Sequence, residues 1–183
     1  MSEALVCGKV WRFGDDISTD LLAPGQYAVE PVEVQKHHVL ESIDPTFAAM
    51  VVPGDVVVAG RNFGCGSSRE TAPENLKALG VACVVAESFS RLFMRNAVAV
   101  GLPVLVCPGI HESVVAGDEI EIDLASGRIG TADGGASLSA QPLPPEMREI
   151  LEAGGILALL RNSRSGETPV ATPSRKDRGG EVP

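Results

Sequence analysis

Val56-Val-Val-Ala59, Gly60-Arg-Asn-Phe-Gly-Cys-Gly-Ser-Ser-Arg-Glu70 and the run from Pro73 to Leu79 follow one another with only Thr71-Ala72 between the last two. They read as strand, glycine-rich loop and helix. Four consecutive apolar residues suit a strand buried on both faces. The residues from Pro73 are good helix formers, and they stop at Gly80, where a left-handed cap is expected. The pattern then recurs. Ala82 to Ala86 reads as a strand, Ser88 as the cap of a helix reaching about Val100, and Gly101-Leu-Pro103 leads into Val104-Leu-Val-Cys107. Strands alternating with helices on this scale define an α/β fold with some parallel pairing.

Upstream, Ala4 to Trp11 reads as a strand that stops at Gly14-Asp15-Asp16, and the chain from Asp15 to Pro31 is loop-like. Val32 to Met50 looks helical in two pieces, with Asp44 as N-cap and Pro45 at the first helical position of the second. Pro53-Gly54-Asp55 is a turn. Downstream, Ile120-Glu-Ile-Asp-Leu124 alternates with period two and Ser126-Gly127 turns it back, which suggests a peripheral hairpin. A final helix is expected from Pro144 to about Leu160, weakened at Gly154-Gly155. From Asn162 onward the sequence is polar, lacks aromatic residues and contains Pro169, Pro173 and Pro183. It has little apolar surface with which to offset ordering entropy. One domain over residues 1–161 and a disordered tail over 162–183 are the expected organisation.

Bulk properties narrow the partners. The chain has 183 residues, a formal charge of −9 and a pI near 4.8. That balance offers no electrostatic footprint for nucleic acid or an anionic membrane. Aromatic residues make up only 4%, too few for base-stacking surfaces. No apolar run approaches the roughly 18 residues that cross a bilayer, and a cytoplasmic protein is expected. The four cysteines, Cys7, Cys65, Cys83 and Cys107, lack the close pairing of metal or cluster ligands. No metal site is expected in this chain. Cys7, Cys83 and Cys107 sit in apolar runs that favour buried structural thiols, and Cys65 stands alone in the glycine-rich loop.

That loop is not a phosphate cradle of a known pattern. A dinucleotide fingerprint needs a glycine where Arg69 stands, a Walker loop needs Gly-Lys-Ser/Thr, and a nucleophile elbow needs Gly-x-Ser-x-Gly. None of His37, His38 and His111 is placed by a motif as the base of a serine. What remains is two hydroxyls, Ser67 and Ser68, and the Arg69 guanidinium at a helix start. Backbone N–H groups and a helix dipole favour a small anion there, and an arginine grips a carboxylate with two hydrogen bonds. The same field would stabilise a serine alkoxide. The competing reading is that both serines cap the helix while Arg69 pairs with Glu70 or Glu74.

Asn62-Phe-Gly-Cys-Gly-Ser-Ser-Arg-Glu70 with Ala72-Pro73 resembles the signature of the small subunit of 3-isopropylmalate dehydratase, a family related to the swivel domain of aconitase. The likeness extends to Gly14-Asp15-Asp16-Ile-Ser-Thr19-Asp20 with Pro24-Gly25, to Ser88-Phe89-Ser90-Arg91 with Arg95-Asn96-Ala97, and to Gly101-Leu102-Pro103. It covers roughly residues 5–160. The resemblance implies a compact three-layer β/β/α swivelling domain of the aconitase C-terminal type. It also implies a hydro-lyase that interconverts 2- and 3-isopropylmalate by dehydration and rehydration in leucine biosynthesis. A separate large subunit would hold a 4Fe-4S cluster, and this chain none. Ser67 would take the proton from the carbon beside a carboxylate, and Ser68 and Arg69 would bind substrate carboxylate, with Thr19 beside them. Asp20 would orient the serine–arginine pair, although an Asp after Ser18-Thr19 also commonly makes only a local turn bond. Cys65 would shape the turn. Arg61, Arg91 and Arg95 read as surface or ion-paired residues, and His37 and His38 as exposed.

In the aconitase-like members an arginine about ten residues past the Thr-Asp motif recognises a third carboxylate. Here the segment is Gln26-Tyr-Ala-Val-Glu-Pro31. A charged substituent would meet Val29 or Glu30 unpaired, whereas an alkyl group suits Ala28 and Val29. Isopropylmalate is therefore the first expectation and dimethylmalate the next, ahead of citrate or homocitrate. A non-catalytic anion-binding module of the same fold is the alternative from a different class.

Overall fold

The structure, a computed structural model, describes residues 5–165 apart from position 133. Four strands, β1 (Leu5–Phe13), β2 (Val56–Ala59), β3 (Cys83–Ala86) and β4 (Val104–Val106), lie side by side in sequence order and run parallel. Parallel neighbours require crossovers, and right-handed crossovers between successive neighbours put every connection on one face. That face carries α1 (Thr19–Leu22), α2 (Val32–Gln35) and α3 (Phe47–Met50) from the first connection, then α4 (Thr71–Ala78) and α5 (Arg91–Val100). The opposite face of the parallel strands is left to be covered by something else.

The covering comes from the other edge of β1. There β5 (Glu119–Asp123), β6 (Arg128–Thr131) and β7 (Ser137–Ser139) continue the sheet antiparallel, giving the order β4-β3-β2-β1-β5-β6-β7. Alternation along the central strands divides their side chains between two cores. Val57, Ala59, Val84, Ala86 and Val104 pack with Leu22, Phe47, Leu76 and Phe93 of the helical layer. Val56, Val58, Cys83, Val85 and Leu105 pack instead with Ile120, Ile122 and Ile129 of the antiparallel half. The sheet thus folds back on itself, and the three layers are β, β and α. This is why β2 and β3 are buried along their whole length.

Several expectations change. The hairpin β5–β6 is not peripheral, because β5 pairs with β1 from Leu5↔Asp123 to Lys9↔Glu119 and supplies one wall of the second core. Cys7 is exposed on that stretch of β1, while Cys83 and Cys107 are buried as expected. The Asp44 carboxylate accepts from the Thr46 N–H and Oγ1, at 3.0 and 2.7 Å, so it closes a local turn and α3 begins only at Phe47. The last helix is broken into α7 (Pro145–Glu152) and α8 (Ile156–Ser165), with α6 (Ile110–Ser113) preceding β5. The break lies at Gly154 and Gly155, both at positive φ, and it seats on the glycine that ends α5. A Cβ on Gly101 would lie 2.4 Å from the Gly154 carbonyl oxygen. Because α8 reaches Ser165, the expected tail starts with helical residues 162–165; residues 166–183 lie outside the described residues.

Candidate active site

The loop of residues 60–70 leaves the carboxyl end of β2, on the side of a parallel sheet where ligands bind. Its first half continues the β1–β2 pairing beyond the strands. Gly60 N donates to Gly14 O at 3.1 Å, Asp16 N to Arg61 O at 2.8 Å, Gly64 N to Ile17 O at 2.7 Å and Thr19 N to Cys65 O at 2.8 Å. The segment after β1 and the loop after β2 are therefore laced together residue by residue. Asn62 takes φ +60° and Asp16 φ +57°, and the Asn62 amide donates to Asp16 Oδ1 at 2.7 Å, so each left-handed residue is held by the other. From the far side Ser88 Oγ accepts from Asn62 N at 2.9 Å. Ser88 is thus a loop anchor, and the N-cap of α5 is Ser90.

Gly64 brings the loop onto α5. It sits at φ +75°, and a Cβ there would lie 2.2 Å from Phe93 Cγ. Two residues on, Gly66 at φ +99° lies beside Thr19 Oγ1. This close approach sets the distance that matters: Thr19 Oγ1 and Ser67 Oγ are 3.3 Å apart, and either can donate to the other. Thr19 is buried, whereas Ser67 and Ser68 are exposed. The backbone N–H groups of Gly66, Ser67 and Ser68 donate to no acceptor among the described residues.

Arg69 folds away from α4 toward α1. Its Nη1 forms an ion pair with Asp20 Oδ1 at 2.5 Å and donates to the Ala23 carbonyl at 2.6 Å. Nη2 faces Gly25, where a Cβ would sit 3.5 Å away, and Nη2 and Nε have no acceptor among the described residues. Half of the guanidinium fork is therefore anchored and half is open. Asp20 lies in the first turn of α1, whose N-cap Ser18 accepts from Leu21 N. The helix-capping alternative for the loop does not hold. The N-cap of α4 is Glu70 with no side-chain hydrogen bond, and Arg69 pairs with neither Glu70 nor Glu74.

Thr19, Asp20, Ser67 and Arg69 are thus brought together, with Ser68 next along the loop. Ala28 and Val29 sit on a turn following a 3-10 turn, Gly25–Tyr27, that starts beside Arg69; Val29 is 93% exposed. His37 is exposed, but His38 is half-buried. Its ring stacks on Tyr27 with centroids 3.6 Å apart, and its Nδ1 lies 2.6 Å from Glu41 Oε2. Arg61, Arg91 and Arg95 are exposed and make no ion pair among the described residues. Burial, reinforced by the Asp16 charge, pushes the Cys65 thiol up. No group of three or more His, Cys, Asp or Glu among the described residues is arranged to hold a metal ion. Among the described residues the cysteines are scattered and not gathered as the ligands of an iron–sulfur cluster would be. The sequence does not point to the Ala23 carbonyl, Gln35 or Asn75, none of which stands in a chemically suggestive local pattern, and it offers Ser88 only as a helix cap.

A groove of about 820 Å³ lies behind the loop, between α2, α4, α5 and α8, and takes in Glu70 and Glu74 but not Ser67 or Arg69. Lys77 crosses one end of it, donating to the carbonyls of Val100 and Gly154. Those bonds tie the end of α5 to the glycine break.

A β/β/α domain that presents a serine–arginine loop at the carboxyl ends of its parallel strands is an aconitase-type swivel domain. Residues 23–108 match the aconitase C-terminal domain family. The chain is 51% identical to 3-isopropylmalate dehydratase small subunit 1 of Methanopyrus kandleri, over 86% of this chain and 93% of that one. It is 48% identical to the isopropylmalate/citramalate isomerase small subunit of Methanocaldococcus jannaschii, over 86% and 95%. A crystal structure of 3-isopropylmalate dehydratase from M. jannaschii superimposes with a TM-score of 0.83 at 37% identity, covering 88% of this chain and 96% of that one. The chain belongs to the 3-isopropylmalate dehydratase small-subunit family. Among the described residues no helix is long and apolar enough to cross a membrane.

Proposed function

We propose that this chain is the small subunit of a hydro-lyase that interconverts 2- and 3-isopropylmalate, with Ser67 as the proton-transferring group and Arg69 as the carboxylate clamp. The observation that supports it best is the half-anchored Arg69 fork beside the Thr19–Ser67 hydroxyl pair. Nη1 is committed to Asp20 and Ala23, so the remaining N–H groups meet a carboxylate with little freedom left to lose. A substrate carboxylate held there, with Ser68 as a further donor, sets the adjacent carbon against Ser67 Oγ. Ser67 takes the proton from that carbon as hydroxide leaves the neighbouring one, giving the enoate; a Lewis acid held by the large subunit would receive that hydroxide. Rehydration in the opposite sense, with the proton returned by Ser67, gives the isomer. Thr19 Oγ1 at 3.3 Å and the free N–H groups of the loop lower the cost of a charged serine oxygen.

Asp20 acts through Arg69, holding the guanidinium in register with the serines. The 4Fe-4S cluster implied by the resemblance is assigned to a large subunit, and none of its ligands is asked of this chain. The openness of the site supports the same division: Ser67 and Ser68 are exposed, so a second surface is needed to exclude water from the reacting atoms. In the cytoplasm the two subunits would close around the substrate. Ala28 and Val29 are the residues we assign to its substituent, an alkyl group. The name of the M. jannaschii relative includes citramalate, whose methyl substituent the same apolar turn would also accept.

The test is anaerobic reconstitution with a large subunit, following enoate absorbance from 2- and 3-isopropylmalate. The mixture should turn over both isomers, this chain alone neither, and Ser67→Ala should lower kcat by about 10²–10⁴-fold. Ordinary turnover by Ser67→Ala would remove Ser67 as the base.

A further inference from the structure

Two buried side-chain amides lie behind the site. Asn75 on α4 is fully buried and Gln35 at the end of α2 is 2% exposed. The Asn75 amide donates to the Leu22 carbonyl at 3.1 Å and to Gln35 Oε1 at 3.4 Å; the Gln35 amide donates in turn to the Glu30 carbonyl at 2.7 Å. Each end of this chain of bonds reaches a part of the site. Asn75 rides on the helix that follows the Ser67–Arg69 loop. Leu22 ends α1, whose Asp20 holds Arg69. Glu30 closes the turn that presents Ala28 and Val29.

We propose that Asn75 and Gln35 are positioning residues that set the Ala28–Val29 turn at a fixed distance from the Ser67–Arg69 loop and thereby determine which substituent the enzyme accepts. The inference rests on the assignment of that turn to the substrate's substituent. Three observations support it. Apolar residues of similar volume would fill the same space without the cost of desolvating two amides, so what the polar pair adds is direction, through bonds aimed at the Leu22 and Glu30 carbonyls. Asn75 Oδ1 is buried with no donor among the described residues, which marks an arrangement not relaxed for stability alone. Finally, the turn is pinned on both sides of its tip, by Tyr27 stacked on His38 and by Gln35 on Glu30 O. Only Ala28 and Val29 protrude between those anchors, so a small shift of either anchor moves the apolar tip directly.

The experiment compares wild type, Gln35→Met and Asn75→Leu, each reconstituted with the large subunit. Substrates are an isopropyl-substituted and a methyl-substituted malate. Amide hydrogen exchange of the isolated chain is followed in parallel. Turnover of isopropylmalate by wild type tests the proposed function by itself. The inference expects the ratio of kcat/KM between the two substrates to fall about tenfold in both variants through KM, with kcat retained. It also expects the amides of Tyr27, Ala28 and Glu30 to exchange at least about tenfold faster. An unchanged ratio with unchanged exchange overturns it. So does an equal fall of kcat for both substrates, or loss of the fold in both variants, since either makes the pair structural only.

Discussion

Gly64→Ala tests the close approach on which the whole loop depends. The added methyl would lie 2.2 Å from Phe93 Cγ, 2.3 Å from Phe93 Cβ and 2.6 Å from Cδ2. These atoms sit at the root of the side chain, so no rotamer change removes the conflict. Phe93 is itself wedged: its ring meets Phe63 edge-on at 5.2 Å and lies parallel to Phe89 at 6.2 Å, and it is 2% exposed. Two costs add. Holding alanine at φ +75° costs about 1–2 kcal/mol, and forcing a methyl into a filled contact costs about 1–3 kcal/mol more. The sum is about 2–5 kcal/mol. At roughly 2–4 °C per kcal/mol for a chain of this size, the melting temperature should fall by about 4–20 °C. Thermal unfolding of the isolated chain followed by circular dichroism reads this directly. Gly14→Ala is the control, because its Cβ would meet nothing within 4 Å and its φ is not in the left-handed region. It should leave stability unchanged or raise it by up to about 1 kcal/mol. If Gly64→Ala melted within about 2 °C of wild type, the argument that glycine seats this loop on α5 would be wrong.

Arg69→Lys keeps the charge but loses the fork. With Asp20 65% exposed, stability should change by less than about 0.5 kcal/mol. Substrate affinity should suffer instead, with KM raised about 10–100-fold for the loss of a charge-assisted hydrogen bond. An Arg69→Lys complex with wild-type KM would show that the open half of the guanidinium binds no carboxylate. Alkylation by iodoacetamide at pH 8, read by mass spectrometry, should mark the exposed Cys7 first. Cys65 should follow slowly, because a thiol pushed up by burial and by Asp16 has less thiolate below its pKa, and its rate should climb as pH is raised. Cys83 and Cys107, buried and likewise pushed up, should react only after denaturation.

The βαβ alternation from Val56 to Cys107 was legible because each strand is short and apolar throughout, and each helix is bounded by its own punctuation. Gly80 and Gly101 stand at positive φ after α4 and α5, where local patterning expects them. The two hydroxyls and the guanidinium of the loop were legible for the same reason, since Ser67, Ser68 and Arg69 are neighbours in the chain. The place of the hairpin was not. Nothing in Ile120 to Leu124 says that it pairs with β1, because alternation records that one face is buried and not against what. Ser88 looked like a helix cap by spacing, yet its hydroxyl serves a loop 26 residues away.

The sequence by itself therefore determined the elements, the glycine-rich loop and the residue types at the site, all of which are properties of near neighbours. Only the tertiary structure decided that Arg69 turns back to Asp20 and Ala23 and not to the glutamates of its own helix. It also set Ser67 against Thr19, and ran two amides behind the site from Leu22 to Glu30. The contacts made by Arg69, Ser67 and Asn75 span 40 to 53 residues and depend on β1 and β2 lying parallel and adjacent. That pairing follows from how the two faces of one sheet are covered, a condition on the whole chain that no local pattern contains.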